Sequence, residues 1–208
     1  MGLYSRYLMP TIVSCGCAAR PITDQRRRLV PRAEGVVLEL GMGSGLNLRF
    51  YDPGKVTKVY GLEPAPAMLA RARRRVAEAP VPVTVLPEMA ETISLTDRSV
   101  DTVLVTFSMC TIPDVVTALC GARRVLRPGG RLLFCEHGRS PEAAVFRWQE
   151  RIEPVWMRLF GGCHLTRDIP ALIREAGFTI DDLDAAYMPK APRIGGYLYL
   201  GAASVRRA

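Results

Sequence analysis

Apolar and polar positions follow two rhythms along the chain. Short, nearly unbroken apolar runs, such as Val36-Val37-Leu38-Glu39-Leu40 and Val100 through Thr106, read as strands covered on both faces. Seven such runs occur: Gly35–Leu40, Val56–Leu62, Val81–Leu86, Val100–Thr106, Arg131–Glu136, Phe178–Ala186 and Gly196–Ala203. Longer stretches with helical character separate them. Ala67–Ala79 consists of strong helix formers. Val115–Leu126 ends at Arg127-Pro128-Gly129-Gly130, where proline and glycine stop a helix and turn the chain. Strands that alternate with helices predict an α/β domain, a seven-stranded, mostly parallel sheet with helices on both faces. Met188–Ile194, with Pro189 and Pro192, is too short for a crossover helix, so the last two strands should pair antiparallel as a C-terminal hairpin.

At 208 residues and 49% apolar, the chain can bury one substantial core, and a single domain spanning 1–208 is expected. Tyr7 to Ala19 is the longest apolar stretch near the start, but it holds Pro10 and is shorter than the roughly 20 residues of a membrane span. It runs almost directly into the domain, which favours a structural preface over a secretory leader and predicts a cytoplasmic protein. Six cysteines without a metal-site spacing read as free thiols, and no metal is expected. The net charge of +8 suggests a nucleic-acid or anionic-membrane partner. Its distribution weakens the first idea. All but three of the 28 basic residues are arginines, and the dense runs Arg26-Arg27-Arg28 and Arg71 with Arg73-Arg74-Arg75 read as solvated helix faces. Aromatics do not interleave with them as in an RNA-binding platform, so no nucleic-acid partner is expected, while peripheral membrane contact stays open.

The densest chemical signal is Leu38-Glu39-Leu40-Gly41-Met42-Gly43-Ser44-Gly45-Leu46-Asn47, a strand that runs straight into a glycine-rich turn. Gly41, Gly43 and Gly45 spell G-x-G-x-G, which permits tight turning and close approach of a ligand to the backbone. Dinucleotide sites show G-x-G-x-x-G with a pyrophosphate on the helix N-terminus, and here the third glycine comes one step early. A turn shaped for an amino-acid tail fits better. Glu63 closes the next strand in Gly61-Leu62-Glu63-Pro64, where an acid can accept hydrogen bonds from ribose hydroxyls.

From Gly35 to Val205 the sequence resembles class I S-adenosylmethionine-dependent methyltransferases, a Rossmann-like family. Besides the two motifs above, the resemblance is carried by Glu88-Met89-Ala90-Glu91, Thr106-Phe107-Ser108 and Arg124-Val125-Leu126-Arg127-Pro128-Gly129-Gly130. It implies S-adenosylmethionine as cofactor and S-adenosylhomocysteine as product. It further implies that Gly41, Gly43 and Gly45 line the methionine tail and Glu63 holds the ribose. Pro64, Met68, Met89 and Ala90 would border the adenine, and Met42, Asn47, Glu91, Thr106 and Phe107 are further expected cofactor contacts. Where Met89 stands many relatives carry an aspartate, which removes one polar contact to adenine.

A narrower resemblance rests on Thr106 through Ile112, Cys135-Glu136-His137 and Glu153 through Arg167, with Gly162-Cys163-His164-Leu165-Thr166-Arg167 at its heart. These segments are similar to the methyltransferase-like seven group, which includes alkyl-thiol S-methyltransferases, and whose bacterial relatives are described as phospholipid or quinone methyltransferases. The acceptor this implies is a small, rather apolar thiol; a phospholipid amine or a quinone carbon is the alternative. Val145, Trp148, Ile152, Val155, Trp156 and Leu159 recur every three or four residues, which predicts an apolar helix face, read as a lid in a segment spanning 141–170. Ser108, Cys110, Trp148, Trp156, Cys163 and His164 are the candidate acceptor contacts. His137, at the end of the fifth strand, is the candidate base or acceptor orienter. The N-terminal cap, residues 1–34, should fold over the same opening through Tyr4, Tyr7 and Ile12. Residues 35–140 form the cofactor core, and 171–208 a helix and the hairpin.

Overall fold

The computed structural model describes residues 15–205, so Tyr4, Tyr7 and Ile12 lie outside the described residues. Seven strands form one sheet: β1 (Gly35–Leu40), β2 (Val56–Leu62), β3 (Val83–Leu86), β4 (Val100–Thr106), β5 (Leu126–His137), β6 (Phe178–Tyr187) and β7 (Tyr197–Val205). Their order is β3-β2-β1-β4-β5-β7-β6. The first five run parallel. β7 is antiparallel to both β5 and β6, the expected hairpin.

Three strand starts differ from the sequence reading, β7 by a single residue because Gly196 ends the short helix before it. β3 begins at Val83 rather than Val81 because Pro82 has no N–H to give; its carbonyl still accepts from Val59. β5 begins at Leu126 rather than Arg131. Leu126 pairs with Val100, and the Pro-Gly-Gly turn is absorbed as an irregularity in the ladder, with Gly129 at φ +83°.

Helices α1 (Arg20–Leu29) and α2 (Pro66–Ala77) cover one face, where Leu29, Val30 and Ala72 pack on Val37, Val59 and Leu104. Helices α3 (Val115–Val125) and α5 (Ile169–Glu175) cover the other, where Leu119, Ala122 and Ile173 meet Leu38, Val103 and Phe134. Burial from both sides is why the strands read as unbroken apolar runs. Asp114 and Asp168 cap α3 and α5 by accepting from the amides of Thr117 and Ala171. The long α4 (Ala143–Leu159) and the short α6 (Arg193–Gly196) complete the chain. No helix of the described residues is long and apolar enough to cross a membrane.

Where β6 bulges between Ile180 and Asp182, Gly201 of β7 leaves no room for a side chain: a Cβ there would strike the Asp182 carbonyl and lie 3.0 Å from the Phe134 ring. Overpacking of this kind costs about 1–3 kcal/mol. Gly201→Ala should therefore lower the thermal midpoint by roughly 3–10 °C, read by differential scanning calorimetry.

Candidate active site

The strand order reverses between β1 and β4, and in open α/β sheets ligands gather beyond the carboxyl ends at such a point. A cleft opens there. Gly41, Met42 and Gly43 after β1, Glu63 and Pro64 after β2, Met89 to Glu91 after β3, and Thr106 to Ser108 after β4 form its wall, with Met68 of α2 alongside. Gly41 and Gly43 have φ of +66° and +58°, a conformation that favours glycine. A Cβ on Gly41 would collide with the Ser108 hydroxyl. At Gly43, only the tip of Met68 at 3.5 Å and the Gly41 carbonyl at 4.0 Å lie within reach, so a side chain there would fill the cleft itself.

Glu63 braces this turn. One carboxylate oxygen accepts from the Gly43 amide and the other from the Ala65 amide, each at 2.9 Å. Burial raises its pKa, against the pull of those two amides. A buried carboxylate with lone pairs left over at the cleft wall suits ribose hydroxyls. Glu91 has a buried Oε2 with no partner among the described residues, a vacancy for a donor carried by a ligand. Met68 and Met89 offer flat apolar contact. These features fit S-adenosylmethionine: a tail on the glycine turn, a ribose on Glu63, and an adenine among the methionines.

Two expected cofactor contacts do not border the cleft. Gly45 faces Leu48 and the Arg75 stem, so its positive φ serves the turn and its packing. Asn47 is buried beneath the turn, where its amide donates to Glu39 and to Thr106, each at 2.9 Å. The basic runs also proved less solvated than expected. Arg26 is only 5% exposed and donates to Asn47 Oδ1 at 2.6 Å and Thr106 Oγ1 at 2.7 Å, its guanidinium 5.2 Å from the Phe107 ring centre. Arg75 donates to the Ser44 carbonyl at 2.9 Å. A signal for Arg26 was present: of its run, it alone lies three and four residues before the buried Leu29 and Val30.

A second cavity, about 600 Å³ and mostly apolar, shares Cys17, Phe107 and Thr111 with the cleft. Its volume falls in the range of small-molecule sites. Cys110, His137, Trp156 and Cys163, which the sequence singled out as candidate acceptor or base residues, all line it. Gly16, Cys17, Met188 and Ile194 also line it, from segments that carry no motif. Phe107, at φ +54°, stands in the shared wall.

Three expected acceptor contacts lie elsewhere. Ser108 belongs to the cofactor cleft, its amide donating to Glu136 at 2.8 Å and its hydroxyl to the Gly41 carbonyl at 3.1 Å. His164 pairs with Glu153 at 2.9 Å, where Glu153 also accepts the Leu165 and Thr166 amides. Trp148 points outward and is 57% exposed, as are Val155 at 58% and Leu159 at 47%. The inward stripe of α4 runs instead through Gln149, Ile152 and Trp156. Gln149 is wholly buried, bonded to Ser140 and to the carbonyls of Gly138 and Ile194, so a polar residue occupies the centre of the packed face.

In the lining of this cavity, Cys163 Sγ lies 3.2 Å from His137 Nε2 and accepts from the Trp156 indole at 3.4 Å. A hydrogen bond from Cys110, then the contacts with His137 and Trp156, hold the Cys163 thiol well below its ordinary pKa despite burial, while Cys110 moves up. Burial opposes charge on His137, yet its bond to Cys163 raises its pKa. Ligand-capable atoms of Cys110, His137 and Cys163 lie within 4.8 Å of one another, contrary to the expectation that no ligand cluster exists.

A methyltransferase domain model matches residues 38–134, from β1 to β5. Thiol S-methyltransferase TMT1B of Homo sapiens is 30% identical over 210 residues, covering 93% of this chain and 84% of that protein. The chain belongs to the S-adenosylmethionine-dependent methyltransferases. This methyltransferase is also 35% identical over 124 residues to the phosphatidylethanolamine N-methyltransferase of Cereibacter sphaeroides, covering 57% of this chain and 60% of the relative. In fold it is similar to a Haloferax volcanii methyltransferase solved in complex with the Trm112 methyltransferase activator: TM-score 0.72, 20% identity, 100% of this chain and 99% of the other. The enzyme's cofactor is S-adenosylmethionine.

Two expectations follow from this geometry. Glu63→Ala removes a charged acceptor and the brace of the glycine turn, and should weaken S-adenosylmethionine binding by about 1.5–3 kcal/mol in calorimetry. Glu136, fully buried, has its pKa pushed up to about 7 by desolvation, against the amides of Ser108 and Met109. A carboxyl raised in the folded state stabilises the fold below its unfolded pKa and loses that contribution as pH climbs through 7. Glu136→Gln should therefore match the wild type near pH 4 and exceed it by about 3 kcal/mol above pH 8, read from denaturant melts across pH.

Proposed function

We propose that this methyltransferase transfers the methyl group to the sulfur of a small, apolar thiol. The observation that carries the reading is this second cavity: mostly apolar walls, soft sulfur and imidazole groups among them, and no carboxylate among the described residues that line it. A phospholipid amine would arrive as an ammonium and find no acid to hold it. A thiol needs only apolar contact and a group to orient its sulfur.

S-adenosylmethionine supplies a methyl group on a positively charged sulfur, so the acceptor's lone pair must be aligned with it in a water-poor space. The chain's residues serve both needs. Phe107 and Thr111 belong to both spaces and bring acceptor and cofactor side by side. Trp156, stacked on Phe160 with ring centres 4.1 Å apart, forms an apolar wall, and Met188 with Ile194 forms another. Cys110, His137 and Cys163 are the groups that orient the sulfur. The thiol S-methyltransferase relative supports this reading. The phosphatidylethanolamine relative keeps a lipid acceptor as the competitor.

With isotope-labelled S-adenosylmethionine, alkyl and aryl thiols should yield thioethers by mass spectrometry. Methylation of phosphatidylethanolamine or a demethylquinone, with no thioether formed, would reject the reading. Trp156→Ala should raise KM for apolar thiols about tenfold through lost apolar contact while leaving the S-adenosylmethionine affinity unchanged, since Trp156 does not border the cofactor cleft.

A further inference from the structure

The sulfur and imidazole cluster has more order than orientation of an acceptor requires. Its members come from three places: Cys110 from the turn after β4, His137 from the end of β5, and Cys163 from the loop after α4. That loop is tied to the Cys110 turn at several points. The His164 amide donates to the Cys110 carbonyl at 2.8 Å, and Arg167 donates to the carbonyls of Met109 and Ile112. Glu153 anchors the other side of the loop through the Leu165 and Thr166 amides at 3.0 and 2.8 Å. Both cysteines are buried, and the Trp156 indole donates to Cys163 Sγ. The two segments that carry the cysteines are thus held together by contacts that do not depend on the thiols.

A tetrahedral zinc ion with Zn–S near 2.3 Å and Zn–N near 2.0 Å needs sulfur and nitrogen ligands about 3.6 to 3.8 Å apart. The 3.2 Å separation of Cys163 Sγ and His137 Nε2, and the 4.8 Å limit on the whole set, bracket that geometry. Small side-chain rotations close the difference. All three residues line the acceptor cavity, so a fourth position on a bound ion can be reached from it. Two thiolates and an imidazole with one open position is a ligand set suited to a soft divalent cation at a reactive site.

We propose that Cys110, His137 and Cys163 bind a thiophilic divalent cation of the zinc class, with its fourth position open to the acceptor. The three-ligand site stands on geometry alone; its use as an acceptor anchor rests on the thiol reading above. An entering thiol exchanges its S–H bond for a bond to the metal, and the proton leaves to water. As the sulfur lone pair forms its bond to the transferred carbon, the carbon–sulfonium bond breaks, and the neutral thioether departs as a weaker ligand. His137 then acts as a ligand, in place of the base role expected of it. Zinc in this position also explains why an apolar cavity would concentrate two cysteines and a histidine at one end.

The test is a zinc titration of chelator-treated, fully reduced protein against a chromophoric competitor, with cobalt as a spectroscopic substitute. One equivalent should bind, and the cobalt form should show thiolate charge-transfer absorption. Cys110→Ser and Cys163→Ser should each weaken zinc about a hundredfold or more, whereas Cys120→Ser, an exposed cysteine on α3, should not. Unchanged S-adenosylmethionine binding by the Cys163→Ser protein would show that it is folded. Absence of tight zinc binding in the wild type, or wild-type affinity in either serine variant, would overturn the site. Apolar thiols should shift the cobalt bands; bands indifferent to them would overturn the open fourth position. Thioether formation by metal-free protein would count against this inference alone, and metal binding without thioether formation against the thiol reading alone.

Discussion

One buried charge network holds the cofactor end of the molecule together. Arg26 of α1 reaches under the glycine turn to Asn47 and Thr106, and Asn47 in turn donates to Glu39 at the end of β1, which also accepts from Tyr51 at 2.7 Å. Four segments, from α1 to β4, meet in that cluster. An isolated buried charge is costly, but an arginine and a glutamate bridged by an amide compensate each other, and loss of one partner typically costs about 3–5 kcal/mol. Burial raises the pKa of Glu39, while hydrogen bonds from Tyr51 and Asn47 and the charge of Arg26 pull it back. The turn can present bare backbone to a ligand because its support comes from beneath.

That support also links the two spaces of the site. Thr106 accepts from Arg26, and the next residue, Phe107, adopts a left-handed conformation within reach of the same guanidinium. A non-glycine residue persists there only where surrounding structure over-determines it. Its amide is held by the Cys135 carbonyl at 2.9 Å, and Ser108 is held by Glu136 and Gly41. The result is an aromatic ring fixed between the cofactor cleft and the second cavity. Both spaces are thereby referred to the same strand end, β4, which keeps the distance between them under the control of the sheet rather than of a loop.

Helix α4 shows how a correct pattern can face an unexpected way. Helical spacing from Val145 to Leu159 identified the helix to within two residues at its start and at the same residue at its end. Which apolar residues turn inward was a separate question. Gln149 sits at the centre of the packed face because it satisfies three backbone partners at once, and that choice rotates Trp148, Val155 and Leu159 to the surface. Trp148 there is accompanied by Arg151, 5.7 Å from its ring. Periodicity measures the width of an apolar stripe, and only the partners decide its orientation.

Strand number, the parallel core with its hairpin, the glycine turn and Glu63 were all legible in the amino-acid order, because each depends on neighbours within a few residues: continuous apolar runs, a tight turn, an acid at the next strand end. Cys110, His137, Trp156 and Cys163 were individually visible through the resemblance of their segments. Their convergence was not, since they are separated by 27, 19 and 7 residues and meet only when β4, β5 and the loop after α4 come to one end of the sheet. Arg26 was hidden in a run of three arginines whose composition signals solvent. Its burial follows from a partner 80 residues away in the chain, Thr106. Local sequence dictates which backbone conformations and which burial periods are available; long-range packing chooses which charges lose their water and which soft ligands become neighbours.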